Sequence, residues 1–262
     1  ANNLPATVYF PEGRYGLSEG GVYAELPLGS DGLTVKGDGA EKSVLVYLEE
    51  WTPEGRWVAL RIKPKTEPGN FDEYLKNITI KDLGVYDTDP VNHAWTVEQH
   101  GAKEETHGFD IQHTSNAVIK NCKVDSVGDE AIDMVYCRDS LIENNLVVNS
   151  PGAGASGGGI SVGDGSENVL VKNNIVDGSI KEKNNFGIAV EALIDPVKNV
   201  YIYNNTIKNI NGNGINIAAP RGTVENIKAE NNIISNCTTG IHTAGTAQKE
   251  NVCFNNTVIT DV

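Results

Sequence analysis

The sequence predicts an all-β solenoid, one domain over residues 1–262, in which short parallel strands wind into stacked coils. Three observations predict it. First, an asparagine pair recurs inside one pattern, at Asn144-Asn145, Asn173-Asn174, Asn204-Asn205, Asn231-Asn232 and Asn255-Asn256, with Asn121-Cys122 in the same place earlier. Counted at the second member, from Cys122 onward, the intervals are 23, 29, 31, 27 and 24 residues. Second, a four-residue unit recurs between these pairs: Gly108-Phe109-Asp110-Ile111, Ala131-Ile132-Asp133-Met134, Gly159-Ile160-Ser161-Val162, Gly187-Ile188-Ala189-Val190, Gly214-Ile215-Asn216-Ile217 and Gly240-Ile241-His242-Thr243. Third, helical periodicity is absent, and the apolar residues alternate as they do on strands.

Each element follows from these units. The opening segments ATVYFPEGRYGL and LTVKGDGAEKSVLV alternate and are broken by Gly and Pro, as the first coils require. WVALRIKPK falls into the same register, placing Arg61 and Lys63 between apolar residues. A repeat with its apolar positions on one side cannot bury them alone, so stacked units must share one core. Equivalent side chains then pile into ladders about 4.8 Å apart. An inward asparagine suits such a ladder, because its amide can bond both backbone and the next rung. The segment from Asp87 to Thr106 interrupts the repeat with a long loop carrying Trp95, His93 and His100, a length that is usually functional.

This pattern resembles the right-handed parallel β-helix of the pectin-lyase-like superfamily over nearly the whole chain. The resemblance implies a carbohydrate-active protein, without choosing among that superfamily's lyases, hydrolases, epimerases and non-catalytic binders. It is similar, within that group, to the disaggregatases of methanogens, which implies action on a chondroitin-like polymer. The amphipathic helix that usually caps such a fold does not precede Ala1, so the chain reads as a piece of a longer protein with further domains.

Strand alternation then assigns directions. Phe109, Ile111, Ile132 and Met134 point inward, so Asp110 and Asp133 point outward to solvent. The outward column reads Arg61, Asp110, Asp133, Ser161, Ala189, Asn216, His242. Carboxylates on neighbouring rungs repel one another, and packing does not call for them. With Asp129 and Glu130 just before the second strand and Arg61 and Lys63 one rung earlier, the set fits glycosidic chemistry on an acidic, uronate-containing polysaccharide. The leading reading is hydrolysis with Asp110 and Asp133 as the acid/base pair, Asp129 and Glu130 completing the cluster, and Arg61, Lys63, His107, Gln112, His113 and Trp95 binding substrate. Hydrolysis requires no cofactor or metal. The alternative is a polysaccharide lyase, in which Asp110, Glu130 and Asp133 hold Ca²⁺ and Arg61 or Lys63 is the base. A non-catalytic glycan-binding β-helix is the third reading. Glu191 reads as a surface charge.

Composition sets outer limits. The net charge of −14 argues against nucleic acid, whose phosphates need clustered Lys and Arg. No apolar run approaches the roughly 18 residues of a membrane span. A secreted or cell-surface location is expected. Cys122, Cys137, Cys237 and Cys253 lack metal-type spacing and read as small buried residues with at most one disulfide.

Overall fold

The computed structural model describes residues 5–17, 21–48, 55–88, 104–149, 158–178, 186–245 and 248–259. Every strand pairing among them is parallel, in one 19-stranded and one 9-stranded sheet. The sole helical element among the described residues is a 3-10 turn at Phe71–Glu73, and no helix is long and apolar enough to cross a membrane. The strands Gly55–Pro64, Glu104–Ser115, Ile132–Glu143, Gly158–Gly163, Phe186–Glu191, Asn213–Ala218 and Thr239–Ala244 follow one another as rungs in sequence order. The core runs down the axis, with Phe109, Ile132, Ile160, Ile188 and Ile215 stacked and fully buried.

The asparagine pair has two jobs, one per member. Asn121, Asn144, Asn173, Asn204, Asn231 and Asn255 adopt left-handed backbone with φ between 53° and 56°, a conformation asparagine tolerates well. Their neighbours Asn145, Asn174, Asn205, Asn232 and Asn256 turn inward. In the first four, the amide nitrogen donates to the next rung's amide oxygen at 2.9–3.1 Å. In all five, the same nitrogen donates to a backbone carbonyl of the preceding coil at 2.9–3.0 Å. The expected inward ladder is therefore present, and Cys122 ends it by donating its backbone N–H to Asn145.

The recurring glycine also has a packing cause. A Cβ on Gly108 would sit 2.2 Å from the carbonyl oxygen of Ala131, and one on Gly159 would sit 2.2 Å from that of Gly187. The coils approach too closely there for a side chain.

The ladder yields a stability prediction. Asn205→Leu should lower stability by about 1–3 kcal/mol, because buried groups on both sides lose their partners. Denaturant unfolding of the variant would measure it, and a neutral result would contradict the ladder's role. The thought of a disulfide is corrected: all four cysteines are free. They occupy different places around the coil rather than facing one another. Burial pushes the Cys122 thiol up to about 12, so it is inert.

Candidate active site

The register brings Arg61, Asp110 and Asp133 onto three successive rungs, since Asp110 pairs with both others across the sheet. The column continues through Ser161, Ala189, Asn216 and His242. The solvent exposure expected of the two aspartates is corrected. Asp110 is 1% exposed and Asp133 is 7%. Asp110 is covered because Arg61 closes over it: one oxygen accepts from Nε at 2.7 Å, and Nη2 lies 2.6 Å away. Gln112 donates to that same oxygen at 3.1 Å. Arg61 in turn lies over the ring of Tyr23 on the preceding rung. Lys63 meets Glu25 at 3.2 Å. Both cations expected to bind substrate are thus paired within the protein.

The turn between Ser126 and Ala131 places the next acids. It is held by the Gly128 N–H donating to the Thr106 hydroxyl at 2.7 Å and the Asp129 N–H donating to the Thr106 carbonyl at 2.9 Å. Thr106 itself donates to buried Asp87. Under this turn lies His107. It was expected beside the strand as a substrate contact, but it is inside strand Glu104–Ser115 and fully buried. Its Nε2 is 3.4 Å from Asp129 and its Nδ1 is 3.1 Å from Glu130. An imidazole lodged between two carboxylates orients both of them.

Asp129, Glu130 and Asp133 face an open cleft of about 320 Å³, shared with Gln112, His113, Tyr136, Ser161, Asp164 and Glu191. Glu191 is the residue that sequence reading misplaced. It lies two rungs beyond Asp133 and two residues further along its strand, within the cleft wall. Asn216 donates to it at 2.7 Å, and His242 Nδ1 meets the other side of that amide at 3.0 Å. Burial first, then the charges of Glu130 and Asp164, raise the Glu191 carboxyl above its ordinary range, against the opposing Asn216 bond. Its alternation with Ala189 on an outward column was the available signal. His113 lies at the cleft edge, and burial lowers its imidazole pKa.

His107, Asp129 and Glu130 also offer one ligand atom each within 4.8 Å of one another, a geometry that could hold a metal ion. Calcium does not fit this set, because it takes oxygen ligands and one of the three is imidazole nitrogen. The set Asp110, Glu130, Asp133 fits no better, since Arg61 already neutralises Asp110. Trp95, expected to bind substrate, and most of the Asp87–Thr106 loop lie outside the described residues.

A family model described as a right-handed β-helix region matches residues 92–261. The chain belongs to this family. No curated protein sequence matches it. Among solved β-helix structures, an exopolygalacturonase from Thermotoga maritima aligns at TM-score 0.66 and 13% identity, over 98% of this chain and 68% of that one. The adhesin PfbA of Streptococcus pneumoniae aligns at 0.59 and 15%, over 97% and 89%. An alginate lyase from Paenibacillus sp. str. FPU-7 aligns at 0.56 and 13%, over 100% and 93%. The chain spans 55% of the length of the Geobacillus virus E2 protein ORF18. At these identities the likeness is one of fold, that of the pectin-lyase-like right-handed parallel β-helix.

Proposed function

We propose that the protein is a glycoside hydrolase acting outside the cell or at its surface on an extended polysaccharide laid along the rungs. The observation that supports this best is the cleft in which two carboxyl groups of different character, Asp133 and Glu191, share one space. Asp133 stands among acids at the cleft floor and activates the attacking water. Glu191, whose proton is held above the usual range, gives it to the leaving oxygen. Asp110, expected as Asp133's partner, is engaged by Arg61 and Gln112 and does not line the cleft, so it takes a supporting role. The Cα atoms of Asp133 and Glu191 are about 12 Å apart by strand spacing. Side chains leaning across that gap suit the roughly 6.5–9.5 Å of inverting enzymes better than the ~5 Å of retaining ones.

An acidic sugar loses its main support once Arg61 and Lys63 are paired internally. The lyase reading weakens for the same reason, because Arg61 and Lys63, its candidate bases, are engaged by Asp110 and Glu25. The test is incubation with a panel of neutral and uronate glycans. New reducing ends of inverted configuration, without the absorbance of an unsaturated uronate, are expected. The alkaline limb of kcat/KM should lie above that of an ordinary glutamate. The sign follows from the raised pKa: Glu191 keeps its proton to higher pH, and activity falls only as pH rises through that value. Burial is the main cause of the shift, and the charges of Glu130 and Asp164 add to it against the Asn216 bond. Glu191→Gln should remove this limb together with most turnover. Unsaturated products would establish a lyase, and no product from any glycan would leave a binder.

A further inference from the structure

We infer that a second cleft, beside the acid-lined one, is a subsite that seats an uncharged pyranose ring of the same polysaccharide. This rests on the glycan reading of the first cleft. The second cleft has a volume of about 380 Å³ and is lined by Phe71, Tyr74, Tyr136, Arg138, Asp195 and Lys198, with Glu167 at its side. Tyr136 lines both clefts, so the two are neighbours.

The two clefts are joined by a run of rings. Phe71 meets Tyr74 edge-on at 5.1 Å, Tyr74 meets His113 edge-on at 5.5 Å, and His113 stacks on Tyr136 at 4.5 Å with planes 5° apart. The backbone shows that this run is not a by-product of folding. His113 and Tyr136 have φ of 51° and 54°, in the left-handed region. Among the described residues, every other non-glycine residue found there is Asn, Asp, Ser or Glu. Histidine tolerates that conformation, but the tyrosine ring is strained in it, and asparagine serves the same bend elsewhere in this chain at lower cost. Strain kept in Tyr136, which carries one half of the ring stack, points to a use for the stack.

The ends of the run match a sugar. Phe71 is 51% exposed, an open apolar ring on the 3-10 turn. The rim is polar and balanced in charge. The Arg138 guanidinium lies over the Phe71 ring, 3.6 Å from its centre, and pairs with Glu167. The Tyr136 hydroxyl donates to Asp195 at 2.7 Å, and Lys198 lies 3.8 Å from Glu225. A pyranose has an apolar C–H face ringed by hydroxyls that both donate and accept. An aromatic floor with paired cations and anions around it satisfies both parts. Two cations offset by two anions in the lining leave no surplus charge for a carboxylate or sulfate, so the occupant is uncharged.

The experiment is affinity electrophoresis of the whole chain and of Phe71→Ala and Phe71→Trp. The gels contain soluble neutral glucans and galactans of α and β linkage, with polygalacturonate as the charged comparison. At least one neutral polymer should retard the protein. Phe71→Ala should weaken that affinity about fivefold to tenfold, the worth of one aromatic contact, and Phe71→Trp should restore it. Melting temperatures check that both variants are folded. Unchanged affinity in Phe71→Ala, binding confined to polygalacturonate, or no binding at all would overturn the subsite. Cleavage by the wild type with unchanged Phe71→Ala affinity leaves the hydrolase standing without the subsite. Loss of affinity in Phe71→Ala without any cleavage leaves the subsite and removes the hydrolase.

Discussion

Asp133→Asn should lower turnover by about 10²–10⁴-fold, the usual contribution of a positioned acid–base group, while the protein stays folded. The side chain is nearly isosteric, and it sits at the cleft floor close to Asp129, Glu130 and Glu191. Replacing one of several crowded carboxylates by a neutral amide relieves repulsion rather than creating it. The melting temperature of the variant should therefore equal or exceed that of the wild type. Substrate affinity should hold, because the loss falls on the chemical step. The decisive measurement is initial rate on the glycan that the wild type cleaves, with thermal melting alongside. Near-full turnover in a folded Asp133→Asn would take this carboxylate out of the chemistry and shift attention to Asp129 or Glu130.

The fold was legible because a solenoid writes its geometry into the sequence once per coil. The asparagine ladder, the glycine column and the order of the rungs can all be read from spacing, since each coil must satisfy the same contacts as the last. Column membership was legible for the same reason: Arg61, Asp110 and Asp133 do align. Exposure was not. Alternation tells which side chains leave the axis, but it does not tell which of them a neighbour then covers. Asp110 leaves the axis and is still buried, because an arginine one rung away closes over it. Glu191 failed in the opposite sense. Two residues past Ala189 it looked like one charge among many, and its importance comes from its burial and from Glu130 and Asp164, which arrive from two other coils. His107 was legible as a neighbour of the acids but not as their buried support. Its role depends on the turn of Asp129 and Glu130 folding back over it. Nor does period or alternation signal the left-handed backbone of His113 and Tyr136, where asparagine would have been the cheaper choice.

The Arg61–Asp110 pair gives the largest expected loss of stability. Arg61→Ala removes the guanidinium from a carboxylate that is 1% exposed. The Coulomb attraction vanishes, but the desolvation cost of Asp110 remains, with Gln112 as the remaining contact to that oxygen. Breaking a buried pair from one side in this way costs about 3–5 kcal/mol. Part of the loss also comes from the packing of the arginine on Tyr23. The double variant Arg61→Met, Asp110→Leu should regain most of this stability, because it removes the stranded charge and refills the volume. Denaturant unfolding of the single and double variants measures both effects. Turnover of the folded double variant then separates two roles for Asp110. If the carboxylate only supports the floor beneath Asp133, the double variant should keep measurable hydrolysis once its stability is restored. If Asp110 were itself the acid or base, restoring the fold would not restore the reaction. A single Arg61→Ala variant as stable as the wild type would mean that the pair is solvated in the molecule, and that Asp110 is open to substrate after all.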